Sequence, residues 1–92
     1  MSKYVEYVMV YEDVNETIEV ITVFRLGRMR PLKFRWKERV YQVSKINGGW
    51  VSDEGCNKHY HYSVSTGGPD CFELCFDVGD MQWQLTRVFM DG

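Results

Sequence analysis

His59 and His61 stand one residue apart, with Cys56 before them and Cys71 and Cys75 after them. Imidazole and thiolate are the ligands zinc takes, and a strand would put both histidines on one face. The spacing of the thiols argues against a centre. Four strand steps separate Cys71 from Cys75, which sets their sulfurs roughly 13 Å apart, too far to share an ion. No metal and no cofactor is expected. A cysteine nucleophile needs a depressed thiol pKa and a histidine steadied by a third group, and no motif here fixes that geometry. Asp53, Glu54, Asp70, Glu73, Asp77 and Asp80 fall in turns or at outward strand positions, where solvated charge is the default. Gly48-Gly49 and Gly67-Gly68 lack the following helix and lysine of a phosphate-binding turn. The expectation is a protein that is not an enzyme.

Charge is more informative. Net charge is −2, but residues 25–45 hold eight Lys or Arg against one acid, Glu38, for a local +7. Residues 1–24 carry −4 and residues 46–92 carry −5. A concentrated cationic segment focuses a positive field even on an acidic protein. Arg28, Arg30, Lys33, Arg35, Lys37, Arg39 and Lys45 are therefore the candidate binding residues, suited to a phosphate backbone or an acidic partner. Tyr41 and Trp50 are the aromatic candidates for stacking on bases. The competing expectation is that Glu19, Glu73 or Asp77 covers Lys33, Arg35 and Lys37. The cations would then be a solvated edge that discourages sheet aggregation.

Strands must position these groups. Pro31-Leu-Lys-Phe-Arg-Trp-Lys37 alternates apolar with basic, which sends Leu32, Phe34 and Trp36 to a core and Lys33, Arg35 and Lys37 to the other face. A tight turn after it returns the chain through residues 40–46, so 31–46 is a predicted hairpin. Residues 4–11 and 17–25 are β-rich runs, apolar on both faces, separated by a polar turn at 12–16. Their two-sided character also suits strand pairing in a homodimer. Asn47-Gly48-Gly49 reads as a break, and Trp50 as an anchor plugging one end of the core. Residues 58–66 turn Tyr60, Tyr62 and Val64 inward, and after the Gly67-Gly68-Pro69-Asp70 turn, residues 71–77 turn Phe72, Leu74 and Phe76 inward. In residues 83–89, burying both Leu85 and Val88 requires a β-bulge.

About seven strands with no helix predict an all-β protein: a small single-domain barrel or a strongly curled antiparallel sheet built from hairpins, covering 1–92. Ninety-two residues, 45% hydrophobic and 15% aromatic, suffice for one core. No apolar run approaches the roughly 18–20 residues of a membrane helix, and the N-terminus lacks a secretory pattern. An odd number of thiols without framework spacing fits a reducing compartment, so a cytoplasmic protein with no membrane role is expected.

The run Pro31 to Val43, Trp50, His59-Tyr-His-Tyr-Ser-Val64, Phe72-Glu-Leu74 and Trp83-Gln-Leu85 resembles a bacterial domain family without an established function. The same pattern is similar to the C-terminal tail module of the catalytically inactive Y-family polymerase-like protein of mutagenic translesion cassettes. The resemblance covers about residues 18–89, with residues 4–11 an added strand. It departs at Gly49-Trp50, where those modules often carry paired tryptophans, and in lacking a polymerase-like body. It implies a small non-catalytic β module tied to DNA repair through protein or nucleic-acid contacts.

Overall fold

The protein's structure, a computed structural model, describes residues 10–90. Seven strands follow one another: β1 (Val10–Arg25), β2 (Arg28–Trp36), β3 (Arg39–Gln42), β4 (Lys45–Glu54), β5 (Asn57–Ser65), β6 (Cys71–Asp77) and β7 (Gln82–Met90). All pair antiparallel in a single sheet of order β3-β2-β1-β7-β6-β5-β4, and the described residues contain no helix. Every strand lies beside its successor except β3, while β7 returns to pair with β1. The order is thus a ring cut once, between β3 and β4.

Two residues, Val43 and Ser44, carry the chain across that cut. Val43 N–H donates to the Leu32 carbonyl at 2.8 Å, and Ser44 N–H donates to the Ser65 carbonyl at 2.9 Å. Three peptide steps reach at most about 11 Å, so the two sheet edges must meet here. The sheet therefore curls strongly, but no ladder joins β3 to β4 and the barrel is not closed. The predicted strand over 40–46 is corrected accordingly: its Val43–Ser44 portion leaves one edge to start the other.

Inside the curl, Phe34, Val64, Phe72, Leu74, Phe76, Trp83, Leu85 and Val88 form the core. Each such side chain removed from water contributes about 1.5–3 kcal/mol. Phe34 and Tyr41 stack at 5.1 Å, and Phe72 meets both rings, so β2 and β3 fold over β6 through aromatic contacts. The inward sets expected for β5 and β6 are those observed. Leu85 pairs with Leu74 and Arg87 with Glu73, a register shift that leaves Thr86 over and buries both Leu85 and Val88.

Several expectations are corrected. Residues 12–16 do not turn: β1 runs through them with a bulge between Asp13 and Glu16, where Asn15 takes a left-handed φ of 51°. Its sixteen residues, at about 3.3 Å each, match the molecule's longest dimension, 52 Å. The expected strand over residues 4–11 lies outside the described residues except for Val10 and Tyr11. Asn47 to Gly49 continue as part of β4 instead of breaking it. Trp50 does not plug the core; it is 47% exposed on the outer face, stacked 4.9 Å from His61 with rings 2° from parallel. Cys75 faces outward as expected yet is buried, flanked in register by His61 and Gln84.

Candidate functional site

The cationic strand is reshaped by one residue. In β2, Lys33 pairs with Ile21 and Pro31 with Thr22, so Leu32 is left over as a bulge. A bulge suits proline, which donates nothing to the ladder. Pro31 takes the buried position instead of Leu32, which is 40% exposed; that corrects the expected core role of Leu32. Phe34 is buried as expected, and Trp36 is half-buried against the core.

The same bulge aligns charge. On β1, Glu19, Ile21, Val23 and Arg25 alternate onto the outer face, and their partners on β2 are Arg35, Lys33, Arg30 and Arg28. In an unbroken strand, residues 28 and 30 would face away from 33 and 35. With Leu32 bulged, all four cations share a row, with Arg25 across from Arg28. At about 6.6 Å for every second residue, the row runs roughly 20 Å. All but Lys33, which is half-buried, are exposed.

Among the described residues, no carboxylate comes within 4.0 Å of any cation between Arg25 and Lys45. The acids expected to cover them are engaged elsewhere. Asp77 faces His59 at 3.4 Å and accepts from the Gly79 N–H at 2.8 Å. Glu73 accepts from the Thr86 hydroxyl at 2.8 Å and lies 3.8 Å from Arg87. Glu19 stands opposite Arg35 in register without pairing to it.

The remaining candidates are dispersed. Lys37 and Glu38 form the two-residue turn between β2 and β3, both at left-handed φ, so Lys37 leaves the row. Its ammonium sits 4.7 Å over the Trp36 ring, and the Arg39 guanidinium lies 5.3 Å from the Tyr41 ring. Tyr41 itself packs against the core and offers little face to a base. Lys45 begins β4 on the opposite rim of the cut. Of the two aromatic candidates, only Trp50 is exposed beside the gap.

Arg28 and Arg30 ride on a projecting ribbon, while Lys33 and Arg35 lie where β3 also pairs with β2. β7 pairs with β1 only up to Ile18, and β3 covers β2 only from Lys33 onward. Residues 19–31 therefore extend as two strands joined by Leu26-Gly27, whose positive φ values of 52° and 74° suit a two-residue hairpin turn. Leu26 at the tip is 91% exposed. Met29 packs against the core, and the Tyr62 hydroxyl donates to the Met29 carbonyl at 2.7 Å, which tethers the ribbon. Burial, followed by Tyr60 nearby, raises the Tyr62 pKa above 10, which keeps the donor protonated.

The histidines make a cluster that alternation did not reveal. The Ser52 hydroxyl and His61 Nε2 lie 2.7 Å apart, and His59 lies between Asp77 and Glu54. Among the described residues, no acid reaches His61 Nδ1 to complete a nucleophilic triad, and no group of three or more metal-ligating side chains converges. Burial pushes the Cys75 thiol up to about 11, opposite to what a nucleophile needs. No helix among the described residues is long and apolar enough to cross a membrane. Comparison with protein-family models, with curated proteins and with solved structures finds no match to this chain.

Proposed function

We propose that this chain is a non-catalytic binding module that contacts nucleic acid through the outer face of the β1–β2 ribbon. The observation that carries the proposal is the bulge-aligned row of Arg28, Arg30, Lys33 and Arg35, which no acid among the described residues neutralises. The part that carries Arg28 and Arg30 is a two-stranded ribbon, one of the two elements that the major groove of a duplex admits. The row's length of roughly 20 Å spans about six phosphates of one duplex strand. Exposed Ile21 and the half-buried Val23 lie opposite Lys33 and Arg30, so the cations are the groups on this face that suit phosphate contact. The resemblance to a translesion-cassette module supports DNA, in a repair setting, as the polymer.

The test is a titration of single-stranded and duplex oligonucleotides at several salt concentrations. Affinity that falls as a power of the salt concentration supports the proposal. Absence of binding at low salt, or indifference to salt, ends it.

A further inference from the structure

The cut in the ring leaves two backbone edges facing one another. Among the described residues, the uncovered edge on β2 is Arg28–Pro31, above the part that β3 pairs, and on β4 it is the whole outer side of Lys45–Glu54. Both rise from the Val43–Ser44 crossing, and no Cα of β2 comes within 8 Å of a Cα of β4. Two strands that flank one missing strand stand about 9.6 Å apart. The gap opens into a cleft of about 1230 Å³ beneath the ribbon.

The two rims differ in how they are protected. β3, the other edge strand, has only four residues and begins with Arg39, both of which blunt an edge. β4 has ten residues, no proline, and regular pairing from Gly48 to Glu54. Unpaired N–H and C=O groups in such a strand are a template for one more strand.

The lining states the chemistry of that strand. Phe24, Met29, Ile46, Tyr60 and Tyr62 give the interior an apolar surface. Arg25, Arg28 and Arg30 also line it, and no Asp or Glu among the described residues does. We infer that the cleft takes an extended segment of a partner protein, alternating apolar with acidic side chains, which adds to β4 as a further strand. Successive side chains of an extended segment point to opposite sides. The apolar set enters the cleft, and the acidic set meets the arginines. A nucleic-acid strand carries no backbone ladder to match the two edges.

The probe is a capped nine-residue peptide alternating valine with glutamate, titrated into the full isotope-labelled chain and followed by amide shifts and hydrogen exchange. Saturable shifts are expected in β4 and in Arg28, Met29 and Arg30, with amide exchange along β4 slowed at least tenfold. Lysine in place of glutamate in the peptide weakens binding at least tenfold, as does Arg28→Glu with Arg30→Glu in the protein. Lys33→Gln with Arg35→Gln leaves peptide affinity within twofold while impairing nucleic-acid binding, so the two proposals fail separately. Four results overturn the inference: no shifts at millimolar peptide; equal binding of a peptide with the valines and glutamates in separate blocks; the same β4 protection from oligo-dT; and a dimer that shows that protection without peptide.

Discussion

Replacing Lys33 and Arg35 by glutamine removes half of the cationic row without touching its backbone. Four row cations, each neutralising one phosphate, give a slope of log Kobs against log salt of about −2.8 on single strands and about −3.6 on duplex. Between 50 and 200 mM salt that is a loss of affinity of about fifty-fold on single strands. The double variant retains two contacts, so its slope is about −1.4 and its loss over the same range about sevenfold. Lys37→Gln is the control. Its ammonium already lies over Trp36 and outside the row, so the slope should change by less than one contact. Fluorescence anisotropy of a labelled oligonucleotide across the salt range measures all three proteins. Parallel lines for the wild type and the double variant would refute the reasoning, as would a wild-type slope shallower than −1.

Other outcomes follow from burial and backbone. Leu85 and Leu74 are both 0% exposed and face one another across β6 and β7. Leu85→Ala should cost about 2–5 kcal/mol and lower Tm by roughly ten degrees or more, which thermal unfolding measures. Glu38 holds φ at 60° in a turn that favours glycine. Glu38→Gly should stabilise by about 0.5–1 kcal/mol, and a drop in Tm would count against that account of the turn. Cys56 is exposed while burial pushes Cys75 up to about 11, so a thiol reagent should label Cys56 in the folded protein and Cys75 only on unfolding. Burial, with His59, lowers the His61 pKa below 6.5 against the opposing pull of Glu73 and Glu54. The unfolded chain then takes up the proton first, so the stability His61 contributes is complete above pH 6.5 and is lost as pH falls below it. Chemical denaturation at several pH values should show a smaller acid-side loss for His61→Phe, with Trp50 fluorescence reporting the same transition.

Alternation made the hairpins legible wherever the ladder was regular. Tyr60, Tyr62 and Val64, then Phe72, Leu74 and Phe76, were visible as inward sets because each side chain two residues on returns to the same face. Leu85 and Val88 were legible despite their odd spacing, since a step of three between two buried positions demands a bulge. The cations carry the same signature: positions 28, 30, 33 and 35 step by two, three and two. Applied to charge, that rule locates the bulge at Leu32 and the row with it. Instead, an unbroken period from Pro31 placed Leu32 in the core and Lys37 in the row. What one sequence could not disclose was pairing at a distance. Whether Glu73 would neutralise Lys33 or engage Thr86 and Arg87 depends on β7 lying beside β6. The continuity of β4 through Gly48-Gly49 likewise rests on its ladder with β5, which outweighs a weak local preference.

The crossing at Val43 and Ser44 has a bearing on how the chain folds. Val10 and Met90 are cross-strand neighbours, so a short loop joining β7 to β1 would turn the same seven strands into a linear meander starting at Ser44 and ending at Val43. All six ladders would then be local hairpins, whereas the natural order must close a loop of at least 65 residues, the Ile18–Trp83 separation, to pair β1 with β7. Such a permutant should fold faster by virtue of lower contact order. It would also lack the only covalent connection between the two rims. Its sheet would be held in its curl by the aromatic cluster of Phe34, Trp36, Tyr41 and Phe72 and by the hydrogen bond from Tyr62 to Met29. Slow formation of the β1–β7 ladder is thus the kinetic counterpart of a cleft whose width is pinned at one end.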